Sequence, residues 1–297
     1  MDKKTLRADI LLLLTSCIWG FGFVAQRFGM EFVGPFTFNA VRFLLGSVSL
    51  LPLIAARRKR GLLIRFTAGR AVFSSWVAGT CLFIAVSLQQ IGLMYTTAGN
   101  AGFITGLYVV LTPIFGIFLG KKTGLPTWIG AGCTVIGLFF LSGAGGTGGV
   151  NPGDCITAVS AIFWALHVLM IDRFVCGLDP IVLSCGQFGW CGVYSWVVVF
   201  FRETVTAESL HSALIPILYG GLGSVGVAYT LQTVAQRDAP PAHAVIILCL
   251  EGVFAAIGGV LLLQETLSAW TLAGFAAMLC GMAATQWDVI RSGKTFL

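Results

Sequence analysis

A carboxylate interrupts one of the long apolar stretches of this sequence. Glu251 lies about ten residues into the stretch 241–263, which is ~15 Å along a helix. A charge at the centre of a bilayer costs about 2.5–3.5 kcal/mol on insertion scales, so a residue of this kind needs a physical reason. Glu251 could bind a proton or the amine of a substrate. It could equally be a structural carboxylate that pairs with Arg42 or accepts hydrogen bonds from hydroxyl groups.

Other polar side chains also lie inside the apolar stretches. Arg42 is seven residues into the stretch 35–55. It could be a structural or coupling charge, or it could extend toward the outer surface of a membrane. Gln89 and Gln232 lie within two further stretches, and Asn100 and His243 lie near the beginnings of two more. Hydrogen bonds between helices explain the two glutamines as well as contact with a substrate does.

Two tryptophans occupy equivalent places. Trp19 follows Asp9 by ten residues, and Trp164 follows Asp154 by ten residues, so each is ~15 Å deep in its stretch. Tryptophan usually prefers the surfaces of a membrane. A symmetric pair at mid-depth favours the lining of a cavity, where the rings could stack on an apolar or cationic ligand. The alternative is core packing.

These equivalences belong to a duplication of the whole chain. Residues 9–57 and 154–202 share landmarks at an offset of 145, and Gln89 and Asn100 match Gln232 and His243 at an offset of 143. A period of half the chain is too long for a solenoid repeat. In a membrane protein it points to a site between the two copies. We predict a first repeat at 1–142, a glycine-rich linker at 143–153 and a second repeat at 154–297.

The composition predicts an integral membrane protein. The chain is 57% hydrophobic and only 10% charged, whereas soluble domains contain roughly 25% charged residues. Its continuous apolar runs favour helices over the alternating strands of a barrel. The first stretch resembles a signal peptide but lacks a clear cleavage site, which favours an uncleaved span. Ten stretches have about the length of a membrane-spanning helix: 9–28, 35–55, 71–93, 98–119, 126–142, 154–172, 180–201, 212–234, 241–263 and 269–287.

The distribution of charge predicts the orientation. Five spans per copy would invert the second copy relative to the first. With the N-terminus inside, 15 of the 18 basic residues fall on the cytoplasmic side, as the positive-inside rule expects. We therefore predict an all-α protein with ten transmembrane helices in two inverted five-helix repeats and both termini in the cytoplasm.

The sequence offers little support for other kinds of chemistry. The nine cysteines form no Cys-x-x-Cys pair and are interpreted as buried apolar residues. The match Gly143-x-Gly145-x-x-Gly148 lacks a surrounding βαβ unit, and no ATP-binding motif occurs. We therefore predict no catalytic residues, no metal and no cofactor. We also predict no nucleic-acid partner, because the orientation in the membrane explains the net charge of +6.

The ordered set of motifs resembles the EamA repeats of the drug/metabolite transporter superfamily. The resemblance implies a ten-helix carrier with a cavity formed by spans 1, 3, 4, 6, 8 and 9, and with spans 5 and 10 often at a dimer contact. The chain departs from the family in having Glu251-Gly252 where Glu-Pro is common, and Lys121-Lys122 where a glutamate is usual. The motifs are Ile18-Trp19-Gly20-Phe21, Phe38-x-x-x-Arg42-Phe43, Thr97-Ala98-Gly99-Asn100-Ala101 through Pro113, and Pro241-Ala242-His243-Ala244 through Glu251-Gly252.

The leading hypothesis is a secondary transporter of the cytoplasmic (inner) membrane that exports small metabolites, such as amino acids or related compounds, by alternating access. Its expected partners are a small-molecule substrate and the lipid bilayer, with proton coupling and a homodimer as further expectations. A lipid-modifying membrane enzyme and a non-transporting receptor or scaffold are the rivals. The expected cavity residues are Trp19, Gln89, Asn100, Trp164, Gln232, His243 and Glu251, with Arg42 as a structural or coupling charge.

Overall fold

The regular structure of the described residues is entirely helical. A computed structural model describes residues 3–63, 66–118, 125–141, 151–239 and 241–285, so the linker predicted at 143–153 lies outside them except for its last three residues. Within these ranges fourteen α-helices and one π-helix follow one another. They are α1 (Lys3–Gly29), α2 (Pro35–Lys59), α3 (Ala68–Leu93), α4 (Ala98–Thr105), α5 (Tyr108–Phe118), α6 (Leu125–Leu141), α7 (Pro152–Val175), α8 (Pro180–Arg202), α9 (Ala207–Ser212), α10 (Leu214–Leu218), the π-helix (Tyr219–Tyr229), α11 (Thr230–Ala235), α12 (Pro241–Leu248), α13 (Glu251–Leu263) and α14 (Ala269–Thr285).

The helices are those of a multi-pass membrane protein. Seven segments of the described residues are long and apolar enough to cross a bilayer. The prediction of an all-helical membrane protein is therefore confirmed, whereas ten spans stay a prediction. Three further apolar helices are shorter, at Trp128–Gly137, Glu251–Leu263 and Ala269–Gly281. The seven are Leu6–Gly29, Pro35–Lys59, Ala68–Leu93, Ala98–Phe118, Pro152–Val175, Pro180–Arg202 and Leu214–Ala235.

Two apolar stretches that the sequence suggested as continuous helices are broken. The first break is at Gly106–Leu107, between α4 and α5, and the second is at Cys249–Leu250, between α12 and α13. At both breaks the backbone makes hydrogen bonds three residues back instead of four, as in Leu107 N–H to Ile104 O (3.0 Å) and Leu250 N–H to Ile247 O (3.2 Å). Such tight turns within a helix often mark functional hinges. The two breaks match at the offset of 143.

The π-helix begins shortly after a proline. Pro216 lacks a backbone N–H, and glycines at 220, 221, 223 and 226 weaken the preference for an α-helix. The segment Tyr219–Tyr229 adopts wider turns instead. π-helical turns are rare and frequently occur at functional sites. The equivalent stretch of the first half, within α3, is a regular α-helix.

The helices pack mainly in pairs that join the two halves of the chain. Helix α2 packs on α8, α3 packs on α7 and α8, and α1 and α2 pack on the π-helix. Helix α4 packs on α13, and α6 packs on α14. Close contact between α4 and α13 requires glycine, because a Cβ atom on Gly102 would lie 2.6 Å from the Cβ of Ala255. We call the end of the bundle that contains Arg57 and Asp179 the Arg57 end, and the opposite end, with Thr96 and Glu203, the Thr96 end.

The pair α2–α8 is joined at both ends by charged side chains. At the Thr96 end the Glu203 carboxylate, just after α8, accepts hydrogen bonds from the backbone N–H groups of Phe36 (2.9 Å) and Thr37 (2.8 Å). At the Arg57 end Asp179 caps α8 by accepting from Ile181 N–H (3.1 Å) and also pairs with Arg57 (3.3 Å). Carboxylates are stabilised at helix N-termini by the unpaired N–H groups there.

The pair α4–α13 has a similar contact at the Thr96 end. Glu265 follows α13, and its carboxylate accepts hydrogen bonds from the N–H groups of Ala98 (2.7 Å) and Gly99 (3.2 Å) in the first turn of α4. The match in the other half would lie near Lys121 and Lys122, which are outside the described residues. Each of the two carboxylates, Glu203 and Glu265, thus connects a helix of the second half to a helix of the first.

Candidate functional site

A small cavity lies at the centre of the bundle, where helices of both halves meet. Its volume is about 30 Å³, which is enough for a few water molecules and far below the roughly 300–1,000 Å³ of typical ligand pockets. The cavity is therefore too small for a metabolite in this conformation. Fourteen residues line it: Trp19, Phe23, Gln26, Arg42, Gln89, Thr105, Tyr108, Trp164, Val168, Ser224, Tyr229, Gln232, Leu248 and Glu251.

Most of the residues proposed from sequence meet around this cavity. Five of the seven expected cavity residues line it, together with Arg42. Asn100 instead lines a separate cleft at the Thr96 end. The side chain of His243, in the first turn of α12, is outside what the structure describes. The five are Trp19, Gln89, Trp164, Gln232 and Glu251.

Ten of the fourteen lining residues form five pairs with the spacing of the duplication. Two pairs have the offset of 145, and three have the offset of 143. The other four residues, Gln26, Arg42, Ser224 and Tyr229, have no partner among the lining residues. The cavity thus has a symmetric framework and a small asymmetric part. The pairs are Trp19 with Trp164, Phe23 with Val168, Gln89 with Gln232, Thr105 with Leu248, and Tyr108 with Glu251.

Glu251 faces a tyrosine. It is 3% exposed and is the first residue of α13, directly after the break at Cys249–Leu250. Tyr108 is the first residue of α5, after the matching break, and its phenol is close enough for electrostatic interaction with the carboxylate. The ion pair found within the described ranges is Arg57–Asp179. The ion pair between Glu251 and Arg42, one of the alternatives expected from the sequence, is therefore not observed.

Arg42 is buried and has no counter-ion among the described residues. It is 2% exposed, so it does not extend to a membrane surface. Its Nε donates to Asn39 Oδ1 (3.0 Å), and its guanidinium carbon lies 4.8 Å from the ring centre of Phe43 and 5.5 Å from that of Phe38. These rings stabilise a cation by contact with their π faces. The guanidinium is held by neutral groups beside the cavity.

The two tryptophans differ in their hydrogen bonds. The indole N–H of Trp19 donates to the carbonyl of Ser224 in the π-helix (3.3 Å). Trp164 is 7% exposed, yet its buried N–H has no hydrogen-bond partner among the described residues. Tyr229 lies between them, with its ring centre 4.5 Å from that of Trp19 and 6.1 Å from that of Trp164. Among the described residues of this aromatic wall, the indole N–H of Trp164 is therefore a donor still available to a ligand.

The two glutamines also differ. Gln89 donates from Nε2 to Thr105 Oγ1 across α3 and α4 (2.9 Å). This is the hydrogen bond between helices that the sequence offered as the alternative to contact with a substrate. Gln232 Oε1 is buried and has no partner within the described residues. Buried polar atoms are usually paired, so an unpaired one beside a cavity is a candidate for ligand contact. Gln26 Oε1 and Glu251 Oε1 are unpaired in the same way.

Several lining residues were missed by sequence reasoning. Phe23, Val168 and Leu248 are apolar residues in apolar stretches, so nothing in their type distinguishes them. Tyr108 could have been found, because subtracting the offset of 143 from 251 gives 108. Ser224, Tyr229 and Thr105 required the actual packing of the π-helix and of α4.

A second, polar cleft of about 410 Å³ opens at the Thr96 end. Arg27 forms one side, where its terminal Nη1 donates to the carbonyls of Leu93 and Met94 (both 2.9 Å) at the end of α3. Asn100 and Glu265 line it as well. The cleft and the central cavity have no lining residue in common.

The comparison with known families gives one match that repeats within the chain. The family described as "EamA-like transporter family" matches residues 6–143 and again residues 151–286. Nearly the whole chain is therefore covered by two consecutive copies of the same family domain.

Relatives of similar length carry the names of transporters. An "Uncharacterized transporter" of Archaeoglobus fulgidus is 31% identical over 89% of this chain and 81% of its own length. The Bacillus subtilis "Uncharacterized transporter YoaV" is 21% identical over 91% of this chain and 94% of its own. The Escherichia coli K12 "Uncharacterized inner membrane transporter YedA" is 24% identical over 84% of this chain and 81% of its own.

The fold has been observed experimentally in another protein. A chain in a crystal structure superposes with a TM-score of 0.71, at 21% sequence identity, covering 97% of this chain and 99% of that chain. At this identity the similarity concerns the fold alone.

Proposed function

The chain belongs to the EamA-like transporter family, and we propose that it is a secondary transporter that exports amino acids or related small metabolites across the cytoplasmic membrane. The observation that carries the proposal is the composition of the central cavity. Five pairs of residues at the spacing of the duplication surround it. A site between two repeats of a membrane protein is the usual place for a substrate in secondary carriers.

The broken helices support the same proposal. Transporters often build their substrate sites from helices that are interrupted near the middle of the membrane. The breaks at Gly106–Leu107 and Cys249–Leu250 lie at the cavity, and the first residue after each, Tyr108 and Glu251, lines it. Interrupted helical backbone at membrane depth is tolerated where it borders a cavity.

Alternating access by two inverted repeats of five helices is the proposed mechanism. Its support comes from two apolar clusters at opposite ends of the bundle. One, at the Arg57 end, contains Leu178 and Leu183, and the other, at the Thr96 end, contains Val33 and Phe38. The residues correspond at the offset of 145, so equivalent seals lie at opposite ends. The cavity between them is closed to a metabolite, as expected for an occluded state of the cycle.

The proposed orientation places the Arg57 end in the cytoplasm. Arg57, Arg58, Lys59 and Arg60 lie there, at the end of α2 and just beyond it, as the positive-inside rule favours. Proton coupling through Glu251 is part of the proposal, since this carboxylate is the acidic group that lines the cavity. A homodimer through α6 and α14 stays a prediction.

Reconstituted flux tests the proposal directly. Purified protein in liposomes should release preloaded, radiolabelled amino acids faster than protein-free liposomes, and a pH gradient should change the rate. The measurement is made for each standard L-amino acid, with and without the gradient. Vesicles that show no protein-dependent flux of any of them would rule out the proposed substrate class. Flux that ignores the gradient would remove proton coupling alone.

The rivals make different demands on the site. A lipid-modifying enzyme needs clustered carboxylates or metal ligands near one surface. Glu251 instead faces a tyrosine in the centre of the bundle, and the described residues contain no group of three or more His, Cys, Asp or Glu suited to hold a metal ion. A receptor or scaffold would bind ligand without moving it, so the flux measurement separates it from a transporter.

A further inference from the structure

Arg42 breaks the symmetry of the duplication in a specific way. Its match at the offset of 145 is Gln187, which is fully buried and hydrogen-bonded through Oε1 to His167 Nε2 at 2.8 Å. His167 in turn matches Gly22. The second half therefore contains a hydrogen-bonded Gln–His pair, whereas the first half has an arginine and, in place of the histidine, a residue without a side chain.

The missing side chain leaves the arginine facing the cavity. Arg42 and Gln26 line the central cavity, but Gln187 and His167 do not. The Arg42 stem lies along the π-helix, where a Cβ atom added to Gly220 would be 3.3 Å from Arg42 Cδ. Glycine at 220 thus makes room for the arginine to reach the cavity. Its two terminal amino groups make no hydrogen bond to any residue that the structure describes.

The described neighbours of Arg42 do not balance its positive charge. The partners of its guanidinium are the neutral side chain of Asn39 and the rings of Phe38 and Phe43. Tyr229 contributes a phenol nearby, and the one carboxylate of the cavity, Glu251, faces Tyr108. A buried charge without a counter-ion is strongly unfavourable. An anion in the cavity would satisfy it, and the planar guanidinium fits a carboxylate through two parallel hydrogen bonds.

We infer that Arg42 binds the carboxylate of the transported compound, so that the cavity selects small organic acids and zwitterions over the corresponding amides and amines. The inference rests on the proposed function, because it assigns the ligand class of the same cavity. It also predicts how the ligand is oriented in the cavity. The carboxylate lies toward α2, an ammonium group, where present, lies toward Glu251 on α13, and the free N–H of Trp164 offers a further donor.

Ligand binding to the purified protein tests the inference without requiring transport. The probes are L-leucine, L-leucinamide, 3-methylbutylamine and 4-methylpentanoate, which share one apolar group and differ in their charged groups. The standard L-amino acids are measured beside them, each with its amide. The readout is the ligand-induced rise in melting temperature in detergent. We expect the acids and zwitterions to stabilise the protein, and each amide and amine to bind about 10- to 100-fold more weakly.

Two substitutions and a control complete the design. Arg42→Gln, which copies Gln187, should lower the affinity for carboxylates about 10- to 100-fold. It should bring each acid and its amide to similar affinity, while the unliganded melting temperature stays the same or rises. Arg42→Lys keeps the charge but not the paired donors, and should give an intermediate affinity. Arg202→Gln removes an exposed arginine and should leave the ligand affinities and the melting temperature unchanged.

Three results would overturn the inference. The first is that the amides bind the unmodified protein as tightly as their acids. The second is that carboxylate binding survives Arg42→Gln. The third is that no carboxylate binds the unmodified protein. Absent flux with intact carboxylate selectivity would instead refute the transport proposal and leave the Arg42 site standing. The two conclusions can therefore fail separately.

Discussion

Tyr108 and Glu251 are equivalent residues of the two halves, and they face each other in the central cavity. Each is the first residue of the helix that follows a break. The contact thus lies where an axis relating the two halves would pass. Because one partner is a phenol and the other a carboxylate, the contact is symmetric in position and asymmetric in chemistry. Of the two, the carboxylic acid is by far the stronger acid, so it is the candidate for binding and releasing a proton.

Replacing Glu251 by Gln should abolish the response of flux to a pH gradient and lower the flux itself at least several-fold. The amide keeps the size of the side chain but cannot bind and release a proton. Reconstituted flux with and without the gradient measures both effects. Glu208→Gln is the matched control, since Glu208 lies exposed on α9. A Glu251→Gln protein with normal, gradient-sensitive flux would remove Glu251 from the mechanism.

Replacing Tyr108 by Phe should lower flux less than Glu251→Gln does, and the double variant should behave like Glu251→Gln alone. The reason is that the phenol acts through the carboxylate that it faces. Residues in contact are expected to show such non-additivity in a double-mutant cycle. Tyr95→Phe, at a tyrosine that is 60% exposed, is the control. Strictly additive losses would mean that the two side chains work independently.

The equivalent substitutions Trp19→Phe and Trp164→Phe should have different consequences. Trp19→Phe removes the donor to the Ser224 carbonyl, so it should cost about 1 kcal/mol more in free energy of unfolding than Trp164→Phe. Trp164→Phe removes a donor without a protein partner, so it should weaken ligand binding instead. Denaturant titration and ligand-induced stabilisation, measured on both proteins, separate the two effects. Equal losses of stability would contradict the assignment.

Replacing Glu203 by Ala should destabilise the protein by about 1–2 kcal/mol, because the N-terminus of α2 would lose its acceptor. Gly34, the residue before α2, offers no side chain to replace it. Thermal unfolding in detergent measures the loss. Glu208→Ala removes an exposed carboxylate and should have little effect. If both variants melt alike, the hydrogen bonds from Phe36 and Thr37 contribute nothing to stability.

The overall character of this protein could be predicted from its sequence because the relevant signals are long. Apolar stretches predict membrane helices, and the offsets of 143 and 145 relate the halves. The breaks were less accessible. Gly106–Leu107 and Cys249–Leu250 contain no proline, and a single glycine within an apolar run predicts no interruption. The turns there depend on how α4, α5, α12 and α13 pack.

The site was partly predictable for a similar reason. Glu251, Arg42 and the glutamines are conspicuous because polar residues are costly in an apolar stretch. The same reasoning cannot find Phe23 or Leu248, and it gave no sign that Arg42 lacks a counter-ion. That property depends on the distance between α2 and α13 and on the small residue at Gly22. It is a property of the three-dimensional contrast between Arg42 and the hydrogen-bonded Gln187–His167 pair.

The fastening of α2 to α8 has a mechanical consequence. One helix comes from each half of the chain, yet a carboxylate and two N–H groups hold them together at one end, and an ion pair with a capping aspartate holds them at the other. Separating them would break all of these bonds. The pair should therefore behave as a single rigid strut. The groups of helices that move against it would then each contain helices of both repeats. The rigid bodies of the transport cycle would therefore differ from the two sequence repeats.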